Sequence, residues 1–279
     1  MPAGVDKKGK KFIIRSRFNC YRERKMTNIV TMIPVRMAST RLPNKPLLDI
    51  NGKSLLQRVY ENVKKTVPGD VFVAAGDRVI VEACEKFGAK AVLTDPALPS
   101  GTDRIAAALK EIDPEGKYDI VVNFQGDDVN PAVNNELIAM IERTGCDIAT
   151  VGMLFDKAGD VKVPSNVKIV MGLREGEDEG RCLYFSRAEV PFIRNPESCK
   201  SRDFYHHIGI YVYRAESLKR FVDLPVGVLE AREGLEQLRA LEDGMYIRAK
   251  LVSELTLDKN APADIDTEED LEEARKWIK

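Results

Sequence analysis

NIVTMIPVRMASTRLPNKP, residues 28–46, joins an apolar run to a cationic loop. The apolar half is typical of a buried strand, and the loop that follows carries Arg36, Arg41 and Lys45. Ligands of open α/β sheets bind beyond the carboxyl ends of the strands, and arginine and lysine suit polyphosphates. The prolines of the stretch limit its conformations, which argues against a merely solvated loop. We therefore expect a phosphate-binding loop that follows neither the GxxxxGK[ST] nor the GxGxxG pattern.

Outward from this stretch, strand-like and helix-like segments alternate, which indicates βαβ units and a mainly parallel sheet flanked by helices. The strand-like segments are 28–34, 70–75, 91–94, 120–124, 148–155, 182–186, 207–213 and 246–251. The helix-like segments are 55–65, 79–87, 104–112, 134–143, 217–222, 234–242 and 268–277. A charged stretch, 174–181, is typical of a solvated hairpin or loop. The fold class predicted is α/β and Rossmann-like: one domain over 26–279, with a smaller inserted region at about 150–250.

Composition excludes several classes of protein. The 279 residues are 44% hydrophobic and 31% charged, with a formal net charge of -1, which is typical of a soluble globular chain and not of a general nucleic-acid binder. No apolar run approaches the ~20 residues of a membrane helix, so we expect no membrane span. The cysteines show no paired spacing, which favours buried thiols in a reducing, cytoplasmic compartment. They are Cys20, Cys84, Cys146, Cys182 and Cys199.

Residues 1–25 differ from the remainder, because nine Lys or Arg and two acids give this segment a net charge of +7. We interpret it as a basic extension outside the fold, disordered or tag-like. A targeting presequence and a nucleic-acid-binding segment are the alternatives.

A second group of polar residues, Gln125-Gly126-Asp127-Asp128, directly follows the apolar run 120–124. Adjacent carboxylates at a strand end suit Mg²⁺, although acids after strands are also common turn residues. Ser100 to Arg104 opens a helix, where Ser100 is either a plain cap or part of an anion site.

Near the carboxyl terminus, Thr267 and Asp270 fit a capping box, which leaves Asp266 unexplained. Two more segments, YFSR (184–187) and HHIGIY (206–211), place polar residues among apolar ones. The only two histidines lie in the second of them, where a structural role is the commoner one.

Together these motifs resemble the 3-deoxy-manno-octulosonate (Kdo) cytidylyltransferases, the CMP-Kdo synthetases. The resemblance spans residues 28–275 in the family's order and spacing. It runs through PVRMASTRLPNKPLLDINGKSLL, SGTDRI, VVNFQGDDVNP, SNVKIV, LYFSRAEVPF, HHIGIYVYR, GLEQLRALEDG and IDTEEDLEEA.

The resemblance implies CMP transfer from CTP to an acidic sugar, with Mg²⁺ as cofactor, a homodimer, and a place in lipopolysaccharide biosynthesis. The inserted region would serve sugar binding and dimerisation. The nucleotide-binding residues would be Arg36, Ser39, Arg41, Lys45, Ser100, Arg104 and Gln125. Catalysis would rest on Lys45, Arg36 and Asp127, and the metal ligands would be Asp127 and Asp266. The sugar-binding residues would be Arg187, His207, Tyr211, Glu236 and Gln237.

The sequence also departs from the family pattern. Asn44 replaces a usual glycine, and Val212 a small residue beside the sugar pocket. The other departures are Val35, Asp128, Val129, His206, Glu268 and the length of the 174–181 loop. Several fall near the acceptor side, so 8-amino-Kdo, another ulosonic acid or a phosphonate such as phosphonoformate are alternative acceptors. A non-catalytic nucleotide-sugar binding protein is the alternative of a different class.

Overall fold

A computed structural model describes residues 27–38, 42–125, 132–155, 157, 159–195, 197, 203–253, 265 and 267–277. Its strands are β1 (Ile29–Val35), β2 (Asp49–Ile50), β3 (Lys53–Ser54), β4 (Asp70–Ala75), β5 (Ala91–Leu93), β6 (Ile120–Asn123), β7 (Ile148–Leu154), β8 (Lys168–Gly172), β9 (Glu179–Ser186), β10 (Tyr205–Arg214) and β11 (Ile247–Val252). Its helices are α1 (Leu55–Thr66), α2 (Arg78–Lys86), α3 (Gly101–Ile112), α4 (Ala132–Thr144), α5 (Ala215–Asp223), α6 (Val228–Glu233), α7 (Gln237–Glu242) and α8 (Glu268–Trp277). The predicted extension 1–25 lies outside the described residues.

A nine-stranded sheet in the order β5-β4-β1-β6-β10-β7-β11-β9-β8 forms the centre of the fold. Its first four strands are parallel, as predicted, so their carboxyl ends meet at one edge. Strand β10 runs antiparallel to both β6 and β7, while β11 is parallel to β7. Because β8 and β9 add further antiparallel pairings, the sheet as a whole is mixed.

Helices cover both faces of the sheet, which makes this an α/β fold. One apolar cluster holds the buried side chains of α1, α2, α4 and α8, and the other holds those of α3, α5 and α7. Helix α1 shows why such segments form: Ser54 caps its first turn by accepting a hydrogen bond from the Gln57 N–H. Leu55, Val59 and Val63 then recur at helical spacing and are fully buried.

The helix predicted over 234–242 is confirmed as α7, which begins at Gln237. The preceding helix, α6, was not predicted; it ends where Gly234 adopts a left-handed conformation with φ of 62°. The predicted loop 174–181 is shorter at its far end, because Glu179 already begins β9. Helix α3 begins at Gly101, three residues before the predicted start, with Ser100 as its cap.

The cysteine prediction is confirmed for the three described thiols, Cys84, Cys146 and Cys182, which are buried and free of disulfides. Burial raises the pKa of Cys84 to about 12, so its thiol stays protonated near neutral pH. Within the described part of the chain, no helix has the length and apolar character needed to cross a membrane.

Candidate active site

The carboxyl ends of β1, β5 and β6 bring the predicted nucleotide-binding residues to one edge of the sheet. Arg36 follows β1, and Gln125 lies two residues beyond β6. Together with Ser100 and Arg104, both side chains line a cleft of about 130 Å³. Four of the seven predicted nucleotide-binding residues therefore lie together.

Arg104 forms the buried wall of this cleft and is only 2% exposed. Its Nη1 donates to Thr94 Oγ1 at 2.7 Å and to the Asp95 carbonyl at 3.1 Å. Burial lowers the pKa of the guanidinium, and the neighbouring charge of Arg36 lowers it further. Because an arginine stays charged in proteins, the cleft holds a desolvated cation suited to an anionic ligand.

Asp77 holds the loop after β1 in place, a contact that the sequence alone did not predict. Its Oδ2 accepts a hydrogen bond from the Met37 N–H at 2.7 Å, which ties the loop after β1 to the end of β4. The Gly76 N–H reinforces this link by donating to the Val35 carbonyl at 2.8 Å. The available signal was an acid two residues beyond the predicted strand 70–75.

Ser100 caps α3, as one of the two interpretations predicted. Its hydroxyl accepts from the Asp103 N–H and donates to Asp103 Oδ2 at 2.7 Å. This cap directs the first turn of α3 toward the cleft, where Gly101 also contributes to the lining. An additional role in anion binding stays a prediction.

Lys45 is not among the residues that line this cleft. It begins a short 3-10 helix, Lys45–Leu47, which packs against α1 and α2, and it is 9% exposed. Asn44, which precedes it, has φ of 58°. Asparagine tolerates this left-handed conformation better than most residues, which explains how it can replace the family's glycine.

The predicted sugar-binding residues Arg187, His207, Tyr211, Glu236 and Gln237 are called the acid-side residues below. Two of them, His207 and Tyr211, lie on β10, which extends beyond the end of β6. Tyr211 lies opposite Asn123, the last residue of β6, so the chain from Tyr205 to Ile210 projects past that strand. The Tyr211 and His207 rings are 5.5 Å apart. Both side chains are buried, at 6% and 8% exposure.

His207 is held as a neutral imidazole. Thr150 Oγ1 lies 3.1 Å from its Nε2 and 2.8 Å from the Ile210 carbonyl. A hydroxyl has one hydrogen, and since it is donated to Ile210, Nε2 of His207 is the protonated nitrogen. Burial lowers the pKa of His207 to about 3.

Glu236 and Gln237 lie at the amino end of α7, on the same side of the sheet as α3. The carboxylate of Glu236 accepts from Thr102 Oγ1 at 2.6 Å. Burial raises the pKa of this carboxyl, and hydrogen bonds from Thr102 and Ser100 oppose the shift. Gln237 is 5% exposed.

Arg187 follows β9 and is anchored to backbone carbonyls. Its Nε donates to the Glu233 carbonyl at 2.6 Å, Nη1 to Pro164 at 3.1 Å and Nη2 to Gly234 at 3.3 Å. No described contact joins its guanidinium to His207 or Tyr211. Of its five N–H groups, two are not engaged in these bonds.

Two hydrogen bonds connect the cleft with the acid-side residues. The first is the Thr102–Glu236 bond, which spans 134 positions of sequence. In the second, Gln125 Nε2 donates to the Gly209 carbonyl of β10 at 3.3 Å. The structure therefore brings the nucleotide side and the acid side together at one edge.

The remaining predicted site residues, Ser39, Arg41, Asp127 and Asp266, lie outside the described residues. Among the residues that are described, no group of three or more His, Cys, Asp or Glu side chains could hold a metal ion.

The expected place of Val212 beside the sugar pocket is wrong. Side chains alternate along a strand, and Val212 lies on the opposite face of β10 from Tyr211. It is fully buried in the apolar cluster that also holds Val122. This substitution therefore changes core packing and does not alter the acid-side surface.

Known proteins are similar to this chain in sequence and fold. The cytidylyltransferase family model matches residues 30–273. A 3-deoxy-manno-octulosonate cytidylyltransferase of Paramagnetospirillum magneticum is 44% identical over 90% of this chain and 97% of its own length. This chain belongs to the 3-deoxy-manno-octulosonate cytidylyltransferase family. The namesake enzyme of Rhodospirillum rubrum is 45% identical over 89% of this chain and 95% of its own.

A solved structure of the family extends the comparison to the fold. The structure of CMP:2-keto-3-deoxy-manno-octonic acid synthetase complexed with CTP superposes with a TM-score of 0.77 at 34% identity. The match covers 90% of this chain and 98% of that one. The resemblance expected from the motifs is confirmed.

The close packing at Gly76 gives a first prediction. A Cβ at this position would lie 2.8 Å from Arg104 Nη1 and 3.1 Å from Arg36 Cβ. Gly76→Ala should displace the buried guanidinium and weaken the binding of tripolyphosphate about tenfold, the loss of one charge-assisted hydrogen bond. Calorimetric titration measures this, with Gly159→Ala as control because nothing lies within 4 Å of a Cβ there. Equal affinities of Gly76→Ala and wild type would contradict the assignment of the cleft.

Burial of His207 gives a second prediction, on stability. Since its pKa falls from 6.5 to about 3 on folding, the unfolded chain binds more protons throughout that interval. The free energy of unfolding should therefore drop as pH falls from 6.5 toward 3, by up to about 1.4 kcal/mol per pH unit. His207→Gln keeps an N–H donor and removes the titration. Urea unfolding at pH 7 and pH 5 should show that the free energy of unfolding falls more for wild type than for the variant. An equal fall in the two proteins would refute a neutral buried His207.

Proposed function

We propose that this chain transfers CMP from CTP to 3-deoxy-manno-octulosonate and releases pyrophosphate. One observation carries this proposal: the cleft that contains the buried Arg104 lies beside the acid-side residues. The hydrogen bond between Thr102 and Glu236 connects the two groups. The names of the relatives and the CTP complex of the matched structure support the same reaction. A triphosphate needs buried cations, and an acidic sugar needs hydrogen-bond donors beside them.

On the nucleotide side, Arg36, Arg104 and Gln125 are placed to hold CTP in the cleft. The charges of the buried Arg104 and the exposed Arg36 favour a polyphosphate over a neutral ligand. Ser39, Arg41 and Lys45 complete the proposed phosphate contacts, with Lys45 near the α-phosphate. Ser100 contributes through the first turn of α3, where unpaired N–H groups favour an anion.

On the acid side, Arg187 is the proposed partner of the sugar carboxylate. Three of its N–H groups fix the guanidinium against backbone carbonyls, and the other two can form a fork with a carboxylate. Neutral His207, Tyr211, Glu236 and Gln237 would bind the sugar hydroxyls. A site built from such buried polar groups discriminates strongly against ligands that lack a matching hydroxyl.

In the proposed reaction, the anomeric hydroxyl oxygen forms a bond to the α-phosphorus as the bond to the bridging oxygen breaks. Pyrophosphate leaves with the bridging oxygen, and the hydroxyl proton is released. Arg36 and Lys45 stabilise the negative charge that builds on the phosphate oxygens. No covalent intermediate with the protein is required, because positioning and electrostatics supply most of the rate enhancement in such transfers.

Mg²⁺ is the proposed cofactor, with Asp127 and Asp266 as ligands. Phe124 and Ile265, which lie near them in the sequence, are both buried in the large apolar cluster on one face of the sheet, although 141 positions separate them in the chain. Carboxylate oxygens are the ligands that Mg²⁺ prefers. A bound divalent ion would neutralise the triphosphate and polarise the α-phosphoryl group.

Other acids remain possible acceptors for the same transfer: 8-amino-Kdo, another ulosonic acid or a phosphonate. The departures that motivated them are Asp128, Val129, His206 and Val212, of which Val212 lies in the core. His206 differs from the family pattern, and its ring packs 5.1 Å from that of Phe155. The names of the relatives make Kdo the favoured acceptor.

The wider biological assignment is also a proposal. We expect a cytoplasmic homodimer that serves lipopolysaccharide biosynthesis, with residues 26–279 as one domain and the inserted region near 150–250 at the subunit contact. Phe192, Val226 and Val228, which belong to this inserted region, are large exposed apolar side chains that a subunit contact would cover.

Pyrophosphate release with CTP, Mg²⁺ and a panel of acids tests the proposed function. Kdo should give the highest kcat/KM of the panel. Asp266→Asn should reduce kcat by roughly 10²–10³, the usual cost of one transition-state contact. Glu268→Gln, an exposed acid in the first turn of α8, is the matched control and should keep wild-type activity.

Turnover with another acid and none with Kdo would reject Kdo as the acceptor. No pyrophosphate with any acid, despite CTP binding, would favour the non-catalytic alternative. Full activity of Asp266→Asn would reject the proposed metal ligand.

A further inference from the structure

Lys168 is a buried ammonium that the reaction scheme does not use. It lies on β8, opposite His206 of β10 and Ser186 of β9, and is 0% exposed. Among the described residues, no carboxylate lies within ion-pairing distance of its Nζ. A buried charge without a counterion is costly, so its partners must compensate for the lost hydration.

Three backbone carbonyls provide that compensation. Nζ of Lys168 donates to Val163 at 3.2 Å, to Asn166 at 2.7 Å and to Arg187 at 2.7 Å. An ammonium has three N–H donors, so every one of them is satisfied. Burial lowers the pKa of Lys168, and the charge of Arg187 also lowers it, while Glu189 and Glu233 act in the opposite direction.

These carbonyls belong to two segments that hold the proposed acid-binding residues. The first segment, residues 163–167, contacts both Arg187 and His207. The Pro164 carbonyl accepts a hydrogen bond from Arg187 Nη1, and the Val167 carbonyl accepts one from the His207 N–H at 2.8 Å. The second segment is the backbone of Arg187 itself. Lys168 thus joins the loop that orients His207 to the residue that presents the guanidinium.

A third segment, the end of α6, is connected to Arg187 by hydrogen bonds of Glu233. Its carboxylate accepts from the Arg187 N–H at 2.9 Å and from Ser186 Oγ at 2.7 Å, and its carbonyl accepts from Arg187 Nε. Glu233 ends α6, three residues before Glu236. A displacement of the Arg187 backbone would therefore also displace Glu233 and, with it, the chain that leads to Glu236.

We propose that Lys168 is a positioning residue for the acidic substrate: its ammonium, bound to three carbonyls, sets the placement of Arg187 and His207 without contacting either substrate. The proposal rests on the proposed function, because it assigns those two residues to the acid. It distinguishes Lys168 from the cations of the cleft, which act on the triphosphate. An apolar side chain of similar length would fill the same space and leave the three carbonyls without donors.

Lys168→Met tests this directly, with both KM values measured by pyrophosphate release. The KM for the acid should rise about tenfold or more, while the KM for CTP should stay within about twofold, since the cleft is not part of the Lys168 network. Lys250→Met is the matched control: Lys250 lies in β11 of the same sheet and pairs with Asp178, away from the acid side. It should leave both KM values unchanged.

Rescue separates positioning from a general effect on packing. In Lys168→Ala, propylammonium restores the missing methylenes and the charge, and it should lower the KM for the acid toward that of wild type. Propanol, which lacks the charge, should not. Equal rises in both KM values, a fall in kcat alone, or equal rescue by propanol would overturn the proposal.

Failure of both variants to fold with propylammonium present would also overturn it, because Lys168 would then serve the core. If wild type itself released no pyrophosphate with any acid, the proposed function would fail first, which separates the two outcomes.

Discussion

The antiparallel register of β10 on β6 is the constraint on which the rest of the site depends. Tyr211 lies opposite the last residue of β6, so the preceding residues of β10 project past the edge where the parallel strands end. A shift by one residue would exchange the two faces of β10, so that Val212 and not Tyr211 would share a face with His207. The β-bulge between Ile208 and Tyr211 is stabilised by Thr150, whose hydroxyl also fixes the tautomer of His207.

Electrostatics impose a second requirement: the buried cations of the site, Arg104 and Lys168, need acceptors that replace the water they lose. Arg104 is compensated by Thr94 and the Asp95 carbonyl, and Lys168 by three carbonyls. Such arrangements contribute little net stability, because desolvation cancels much of the attraction. Their value is geometric: a cation fixed by several acceptors cannot follow its ligand, so it favours one arrangement of bound anions.

Local signals allowed much of the fold and part of the site to be predicted from the sequence. The caps at Ser100 and Thr267 depend on residues three positions away, and both are confirmed. Helix α6 was missed because its six residues are too few to show a helical repeat of apolar side chains. Asp77 and Thr150 were missed for another reason: their partners lie 40 and 57 positions away, and only the sheet topology brings them together. The family resemblance located Glu236, which pattern alone would not have connected to α3.

The central claim is that one edge of the sheet binds the triphosphate and a divalent ion beside the acid-side residues. A crystal structure with CTP and Mn²⁺ tests it most directly, because Mn²⁺ gives an anomalous signal and accepts oxygen ligands as Mg²⁺ does. We expect one strong peak at this edge, coordinated by Asp127, Asp266 and the α-phosphate, with the phosphates against Arg36. A peak without Asp266, or a nucleotide bound at the opposite ends of the strands, would contradict it.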